Sequence, residues 1–552
     1  MDPPAEGVNL VSCKWVFAVK EKDGVVVRFK ARLVARGFTQ QYGVDYEETY
    51  ASVVRFKAIR VLLAIVVMRD YTLELMDVQT AYLNAPLKER VFMRQPEGYE
   101  RGGAASVCLL QKALYGLKQS GREWREHLDA FLLSVGFRRC TSDPCVYVLR
   151  SQRGNPILLC VYVDDIPAAF DEADRDEWEG IKRQFADKYK IKFLGEADWM
   201  LNMRIRRDRP RRLLWLDQQS YVASMLEEFQ LDEARAVGHP GAQEELTAAG
   251  CPKSAEEAAQ MKKVPYRRVV GLLTYLANCT RPDIAHAVNS AAQFAQNPGA
   301  MHWRGLMQIL RYLCGTDQHA LLFDGNAQGG VTVAAAPSAS AAEGSSPSSS
   351  VSPLVVFADA NWGNCKDTRR SVTGWLIRLG NSWVDWCCQK QATVALSSCE
   401  AEYMAVSAAT QGAIWMQQLL EEMSFMEWTN GGDKSVPVPL VLCDNKSAIA
   451  MGHTDALHSR SKHIDIRHHF IREQIERGRI ALQWISTQDQ VADILTKTLQ
   501  PRIFLRFRDQ LVCVPQQQQK QLAAESIARA AEAGATPQTS PTKAAHTLVQ
   551  GQ

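Results

Sequence analysis

Two adjacent carboxylates, Asp164 and Asp165, are the residues of this chain that most directly suggest chemistry. They follow the apolar run Leu158–Val163, a pattern typical of a buried strand that ends in a hairpin turn. Burying two unpaired carboxylates is costly, so their position makes sense if divalent cations neutralise them. Mg²⁺ held by carboxylates and substrate phosphates is the usual arrangement for phosphoryl transfer, and the first hypothesis is a nucleotidyl transferase. For such a pair taken alone, the alternative is a solvated turn.

A third carboxylate, Asp77, stands near the end of another apolar-leaning segment, Leu73–Val78, which is also predicted to be a strand. If the two strand ends meet, Asp77 is the natural third ligand of metals held by Asp164 and Asp165. A helix predicted over about residues 55–68 carries aliphatic side chains on one face, and that stripe is most simply core.

Two β-rich segments on either side of Asp23–Gly24 predict a hairpin near the N-terminus. Its basic side chains include Lys30 and Arg32, which could meet a triphosphate or the backbone of a template. The alternative is a solvated strand face, since basic residues on strands are usually just exposed.

The overall composition sets limits without naming a partner. The chain has 552 residues, enough for three or more domains, and its net charge of +3 gives no strong indication of a polyanionic partner. The N-terminus lacks the basic and apolar regions of a signal peptide, and no apolar stretch approaches membrane-spanning length. We therefore expect an intracellular protein with no membrane partner. The fourteen cysteines include no CxxC pair and are interpreted as reduced core thiols.

Four motifs occur in the order found in one known family. They are Lys30–Gly37, Met76–Asn84, Ala113–Gln119 and Tyr162–Asp165. Together they resemble the reverse transcriptase of copia-type LTR retrotransposons. The resemblance implies a right-handed polymerase with fingers, a palm and a helical thumb or connection.

The resemblance also implies roles for individual residues. Asp77, Asp164 and Asp165 would bind two Mg²⁺ ions in the palm, with Mn²⁺ as a substitute. One ion would activate the primer 3′-hydroxyl and the other would hold the triphosphate. Tyr82 would reject ribonucleotides by crowding the sugar 2′ position, and Gln119 would touch the incoming nucleotide. Without the family, a packed aromatic residue after a strand is the simpler interpretation of Tyr82.

Three positions depart from the family pattern. Pro167 stands where an aliphatic residue usually follows the two carboxylates, and because proline removes a backbone donor, one expectation is a distortion beside them. Asn202 stands where the family usually carries a glycine, and Gly121 stands where it commonly carries a proline. These departures bear on activity and not on the fold.

Four further acidic residues stand at predicted element boundaries in the C-terminal part of the chain. They are Asp359, Glu402, Asp444 and Asp493. This order of elements resembles ribonuclease H, which implies that the cluster would bind two Mg²⁺ ions and cleave the RNA strand of an RNA/DNA hybrid. Glu400 competes with Glu402, but Glu402 fits the family pattern better. Taken singly, each acid is more simply a cap or turn residue.

The predicted fold class is α+β / α/β multidomain, a right-hand polymerase followed by a ribonuclease H-like domain. The predicted boundaries follow both motifs and composition. They are an N-terminal extension (1–11), fingers and palm (12–235), a helical thumb or connection (236–324), a flexible linker rich in Ala, Ser, Gly and Pro (325–353), the ribonuclease H-like domain (354–513) and a low-complexity tail (514–552).

The sequence therefore predicts an RNA-directed DNA polymerase with ribonuclease H activity that acts in retrotransposition. Its partners would be an RNA template, a DNA primer, an RNA/DNA hybrid and deoxynucleoside triphosphates. It would act in the cytoplasm, in a virus-like particle, or in the nucleus. One alternative is a catalytically impaired remnant that only binds nucleic acid. Another, a cellular ribonuclease H with an unrelated partner domain, does not explain the motifs between Lys30 and Asp165.

Overall fold

A computed structural model of the chain describes residues 8–22, 25–103, 106–242, 244–326, 331–333, 350–425, 438–453 and 465–515. The predicted turn at Asp23–Gly24, most of the predicted linker and nearly all of the predicted tail lie outside the described residues. The described elements combine helices with mixed sheets, and the predicted multidomain α/β class is confirmed. Among the described residues, none of the helices combines the length and apolar character needed to cross a bilayer.

The helices and strands follow in chain order. Up to residue 196 they are β1 (Leu10–Val11), β2 (Cys13–Lys22), β3 (Val25–Ala35), α1 (Phe56–Arg69), β4 (Thr72–Val78), β5 (Phe92–Arg94), β6 (Val107–Leu109), α2 (Ser120–Val135), β7 (Arg138–Arg139), β8 (Val146–Arg150), β9 (Pro156–Cys160), β10 (Asp165–Phe170), α3 (Arg175–Lys188) and β11 (Ile191–Glu196). Up to residue 324 they are β12 (Trp199–Met200), β13 (Met203–Asp208), β14 (Leu213–Asp217), α4 (Gln219–Glu228), α5 (Ala255–Lys262), α6 (Tyr266–Cys279), α7 (Ala285–Ala292), α8 (Ala300–Cys314) and β15 (Ala320–Asp324). The remainder are β16 (Val331–Val333), β17 (Ser350–Ser352), β18 (Leu354–Asn361), β19 (Val372–Leu379), β20 (Ser382–Lys390), α9 (Ser398–Glu422), β21 (Leu440–Cys443), α10 (Lys446–His453), α11 (Asp465–Glu476), β22 (Ala481–Trp484), α12 (Pro501–Leu511) and β23 (Val512–Cys513).

The first large sheet has the strand order β11-β4-β10-β9-β8-β7 and is antiparallel throughout. Alternation along β4 divides its side chains between two cores. Leu73 and Leu75 face the core that contains α1, whereas Met76 and Val78 face the core that contains α2 and α3. The sheet is therefore covered on both faces, and its strand ends remain available for polar residues.

A second sheet, β12-β13-β14-β15-β23, links distant parts of the chain. Its last strand, β23, pairs with β15 through Ala320–Cys513 and Leu321–Val512. The end of the described chain thus returns to the sheet built by residues 199–324.

The third sheet has the order β20-β19-β18-β21-β22, in which β18, β21 and β22 run parallel and the other pairs are antiparallel. Helix α9, of 25 residues, packs against this sheet. Its N-cap is Ser397, whose side chain accepts a hydrogen bond from the Glu400 amide.

Helix α1 is buried around its whole circumference. The sequence predicted a single core-facing stripe, but every residue from Ala58 to Val67 is buried. The reason is that α1 packs against strands of all three large sheets, namely β9 and β10 of the first, β14 and β15 of the second and β20 of the third. A helix that is apolar on all sides is stable only when it is covered on all sides.

One charged residue lies within this buried helix. Arg60 is 3% exposed, and its guanidinium donates to the carbonyls of Val384 (2.8 Å), Asn278 (2.7 Å) and Cys279 (3.1 Å). It also lies 3.4 Å from a carboxylate oxygen of Asp385 in β20. Arg60 therefore joins α1 to the C-terminal end of α6 and to the third sheet.

We expect Arg60→Met to lower the free energy of unfolding by about 3 kcal/mol, because it leaves buried carbonyls without a donor and Asp385 with less positive charge. Urea unfolding followed by circular dichroism measures the change. Arg268→Met is the matched control, since Arg268 is 65% exposed and paired with Glu228, and its loss should cost less than about 1 kcal/mol. Equal effects of the two substitutions would contradict the role assigned to Arg60.

Candidate active sites

The first site lies at one end of the first sheet. Antiparallel pairing places Asp77 of β4 directly opposite Asp165 of β10. The carbonyl of Asp164 accepts a hydrogen bond from the Val78 amide at 2.9 Å. All three carboxyl residues are partly exposed. The structure thus brings together the three acids singled out by the sequence, whose role as metal ligands stays a prediction.

The turn that carries Asp164 and leads into Asp165 is tight and strained. Tyr162 and Asp165 exchange two backbone hydrogen bonds of 2.9 and 3.0 Å, which leaves Val163 and Asp164 as the loop. Val163 has φ +58°, a left-handed conformation that is rare for a β-branched residue. The indole N–H of Trp124 donates to the Val163 carbonyl at 2.8 Å and so holds the turn from α2. Such strain persists only where neighbours enforce it.

Pro167 is accommodated inside β10. The strand keeps its register with β4 from Asp165 to Phe170. On its other side, β10 pairs with β9 from Ala168, and Asp165 forms an isolated bridge with Tyr162 just after β9, with a gap between the two. The gap falls where Pro167 has no N–H to donate to β9. The expected distortion is therefore confined to the β9 side, and the pairing of Asp165 with Asp77 is retained.

Burial and the neighbouring carboxylates raise the proton affinity of Asp164 and Asp165. Burial together with Asp164 and Asp77 raises the pKa of Asp165 to about 6. Burial and Asp77 also raise the pKa of Asp164, while Lys30 and Arg32 act in the opposite direction. The predicted basic residues of β3 therefore lie close enough to Asp164 to affect it. The nearby positive charge does not offset the repulsion, which is the situation that a divalent cation relieves.

Two tyrosines stand beside this site. The rings of Tyr82 and Tyr115 meet edge to face, with centroids 4.8 Å apart. Burial and the negative charge of Asp164 raise the pKa of both phenols. Tyr82, which the sequence selected, and Tyr115, which it did not, therefore form one aromatic wall next to the carboxylates.

The loop carrying Tyr115 is fastened to β3 through two glycines. The Ala35 amide donates to the Tyr115 carbonyl at 2.8 Å, and the Gly37 amide donates to the Gly116 carbonyl at 3.1 Å. A Cβ on Gly116 would lie 2.1 Å from the Ala35 carbonyl oxygen, and one on Gly37 would lie 2.2 Å from the Gly116 oxygen. Only glycine permits this close approach. Two of the four sequence motifs thus pair with each other.

Gln119 lies in a buried, hydrogen-bonded position. Its side chain is 0% exposed, donates to the Asp45 carbonyl at 2.7 Å and accepts a hydrogen bond from Gln40 at 3.0 Å. In this arrangement Gln119 anchors the loop before α2, and its contact with an incoming nucleotide stays a prediction.

The second site lies at the C-terminal ends of β18 and β21, two inner strands of the third sheet. Asp359 lies near the C-terminal end of strand β18. Glu402 lies in the second turn of α9, and Asp444 follows β21. Asp493 lies in a short 3₁₀ helix, Val491–Leu495. The hydroxyl of Thr496 donates to Asp359, and that of Thr487 donates to Asp444 at 2.7 Å.

Glu400 and Glu402 have different surroundings. The carboxylate of Glu400 accepts a hydrogen bond from the Leu396 amide at 2.7 Å, which completes the N-terminal cap of α9. Glu402 is buried and faces the charges of Asp359 and Asp444. The geometry therefore groups Glu402, and not Glu400, with the other acids.

Electrostatics in the second site are also unfavourable without added positive charge. Burial, Asp359 and Asp444 raise the pKa of Glu402 well above its ordinary range, and burial and Asp359 raise that of Asp493. The ammonium group of Lys497 lies 2.7 Å from Asp493 and offsets part of the repulsion. Oxygen ligands this crowded suit a hard divalent cation.

Two neighbours of the second site were missed by the sequence reasoning. Lys497 stands one helical turn after Asp493, a spacing that could have identified it as a partner. Cys443 precedes Asp444, and its sulfur lies 4.0 Å from a carboxylate oxygen of Glu402. Ligand atoms of Glu402, Cys443 and Asp444 lie within 4.8 Å of one another. Because Cys443 was interpreted as an apolar residue of a strand, nothing in the sequence indicated that its thiol lies beside the acids.

Comparison with known proteins gives consistent relatives. Residues 2–243 match the family model described as reverse transcriptase (RNA-dependent DNA polymerase). The chain is 38% identical over 499 residues to the retrovirus-related Pol polyprotein from transposon TNT 1-94 of Nicotiana tabacum, covering 90% of this chain and 35% of that protein. It is 34% identical over 514 residues to the corresponding polyprotein from transposon RE1 of Arabidopsis thaliana, covering 92% and 32%. The chain thus spans about a third of the length of these relatives.

A solved structure, that of the foamy viral protease-reverse transcriptase in complex with double-stranded DNA, is a distant neighbour. It matches with a TM-score of 0.41 and 14% identity, covering 85% of this chain and 64% of that chain.

In the presence of a chelator, we expect thermal stability to fall as the pH rises from about 4.5 toward neutral. The pKa of Glu402 has an ordinary value of 4.5 and is raised in the folded chain, so the unfolded chain releases a proton that the folded chain retains. This contribution is fully present below about pH 4.5 and is lost as the pH approaches the folded-state pKa. Added Mg²⁺ should flatten the dependence. Calorimetry across this range measures it.

The matched variants are Glu402→Gln, which should show a shallower slope in chelator, and Glu476→Gln, which should keep the original slope. Glu476 is exposed and lies outside the site. Identical slopes for the original chain and Glu402→Gln would contradict the electrostatic account.

Proposed function

The chain belongs to the reverse transcriptase family found in the Pol polyproteins of retrotransposons, and from this premise we propose that it copies an RNA template into DNA and cleaves the RNA of the resulting hybrid. The observation that carries the proposal is the presence of two separate carboxylate clusters, each at the strand ends of its own sheet. The family accounts for the first cluster. The second cluster supports the nuclease activity through its chemistry alone.

In the polymerase reaction, Asp77, Asp164 and Asp165 would hold two Mg²⁺ ions, and Mn²⁺ would also suit their oxygen ligands. The ions would supply activation of the primer 3′-hydroxyl and neutralisation of the leaving pyrophosphate. Lys30 and Arg32 bring positive charge toward the same place, where they would bind the triphosphate. The strained turn at Val163 keeps the acids close to β4.

In the nuclease reaction, Asp359, Glu402, Asp444 and Asp493 would hold the metal ions that activate water for attack on a phosphodiester of the RNA strand. The hydroxyls of Thr496 and Thr487 fix the orientation of two of these carboxylates. Lys497 holds Asp493 in place and keeps positive charge at the rim of the site.

The substrates of this proposal are an RNA template, a DNA primer, deoxynucleoside triphosphates and the RNA/DNA hybrid that the polymerase makes. Phosphate contacts would make binding salt-dependent and largely independent of sequence. The proposed place of action is within the cell, in a cytoplasmic virus-like particle or in the nucleus, where retrotransposition requires these substrates to meet.

We expect Asp164→Asn to abolish primer extension on an RNA template, with a loss of about a thousandfold or more, and to leave hybrid cleavage unchanged. Asp444→Asn should have the opposite effect. Each substitution removes one negative charge from one cluster and keeps the shape of the side chain. Primer extension and cleavage of an end-labelled hybrid, run on the same preparations with Mg²⁺, measure both activities.

Asp317→Asn is a suitable control, because Asp317 accepts a hydrogen bond from Gln219 outside both clusters. Loss of both activities in either single variant would contradict two independent metal sites. A folded original chain that binds hybrid but neither extends nor cleaves would identify a catalytically impaired remnant.

We expect Tyr82→Val to admit ribonucleotides, lowering the preference for deoxynucleotides by roughly tenfold or more, because a smaller side chain leaves space for the 2′-hydroxyl. Single-nucleotide incorporation with each kind of triphosphate measures the ratio. Tyr82→Phe keeps the ring and should keep the preference. If Tyr82→Val discriminates as well as the original chain, the ring does not face the sugar.

A further inference from the structure

Two tryptophans on the third sheet are exposed to an unusual degree. Trp362 and Trp484 are each 51% exposed, although tryptophan is on average among the most buried residue types. Both lie beside the second carboxylate cluster. Neither takes part in the chemistry described above.

Trp362 is placed by the elements that carry two of the acids. It follows the end of β18, three residues after Asp359. Its indole N–H donates to the carbonyl of Ala395 at 3.0 Å, in the segment that leads into α9 and Glu402. The ring is therefore fixed at its polar edge, while about half of the side chain remains in contact with solvent.

Trp484 is placed in a similar way. It is the last residue of β22, and its indole N–H donates to the carbonyl of Asp444 at 3.1 Å. The ammonium group of Lys446 lies 4.9 Å from the ring centroid. A cation over the ring both stabilises its orientation and adds positive charge next to it.

The loop that carries Trp362 is also basic. Arg369 and Arg370 are exposed and lie in the loop that begins with Trp362. The loop closes through backbone hydrogen bonds between Cys365 and these two arginines, of 2.7 and 3.3 Å. Lys446 thus lies over the Trp484 ring, and the loop that begins with Trp362 carries two exposed arginines, a combination that suits an anionic ligand with apolar faces.

We propose that Trp362 and Trp484 are substrate-binding residues that hold an RNA/DNA hybrid on two sides of the second carboxylate cluster. The rings would pack against sugar and base surfaces, while Lys446 and the arginines of the Trp362 loop would contact phosphates. The Trp484 indole is hydrogen-bonded to the Asp444 carbonyl, and Trp362 lies three residues after Asp359 and is hydrogen-bonded to the segment that leads into α9. A strand lying on the rings is therefore positioned relative to the carboxylates. This inference rests on the proposed nuclease function and adds residues that touch substrate.

A footprint tests binding without requiring cleavage. The full chain is oxidised by hydroxyl radicals in chelator, with and without a saturating RNA/DNA hybrid, and modified residues are mapped by mass spectrometry. We expect the hybrid to protect Trp362 and Trp484. Exposed Ile503 of α12, which is 41% exposed, serves as the reference residue. Equal oxidation of both tryptophans with and without hybrid would overturn the proposal.

Steady-state kinetics of hybrid cleavage provide the second test of the proposal. We expect Trp362→Ala and Trp484→Ala each to raise KM for hybrid cleavage by about tenfold, with little change in kcat, because a lost packing contact with the sugars of the hybrid weakens binding and leaves the acids intact. Phenylalanine at either position should restore most of the affinity. Ile503→Ala should leave cleavage unchanged, and primer extension should be unaffected in every variant.

The two arms separate the possible failures. If the original chain cleaves hybrid and both alanine variants keep its KM, the inference is wrong and the nuclease function stands. If the original chain does not cleave but the hybrid protects both tryptophans, the nuclease function fails and the binding site stands.

Discussion

The buried guanidinium of Arg60 is the interaction on which the arrangement of the molecule depends. Helix α1 can be apolar on nearly every side only because strands of all three large sheets cover it. Arg60 then ties α1 to Asp385 and to the carbonyl groups at the end of α6. A charge in such surroundings is expensive unless it is fully paired, so these partners cannot move independently.

Further hydrogen bonds join β20 and α9 to the part of the chain that precedes the predicted linker. The indole N–H of Trp386 donates to the Ala277 carbonyl at 2.9 Å, and that of Trp415 donates to the Ser142 carbonyl at 2.8 Å. Glu422 accepts hydrogen bonds from the Thr141 hydroxyl and the Ser142 amide. The two carboxylate clusters are therefore held in one frame by side chains from both halves. These contacts act in addition to the covalent connection of the chain.

Local sequence patterns predicted those features that depend on neighbours in the chain. The strand before Asp164, the turn that follows it and the hairpin of β2 and β3 all follow from apolar alternation and turn residues. The motifs also selected the acids of each cluster, because strand ends are where unpaired carboxylates can meet. Asn202, with φ +60°, occupies a conformation that asparagine tolerates better than most residues, which accounts for its presence where the family carries glycine.

Features that depend on tertiary contacts could not be predicted in this way. The apolar stripe on α1 predicted a single core-facing side, because a sequence pattern gives the apolar positions of a helix but not the number of neighbouring elements that will cover it. The hydrogen bonds that the Gln119 amide makes inside the protein were not predicted, since polar type alone does not distinguish a ligand contact from a structural one. Strand β23 illustrates the same limit at the level of topology. Its pairing with β15 joins residues almost two hundred positions apart in the sequence. Strand β23 completes the second sheet, although it follows the last strand of the third sheet along the chain. A division of the chain at 325–353 would therefore remove a strand from the second sheet.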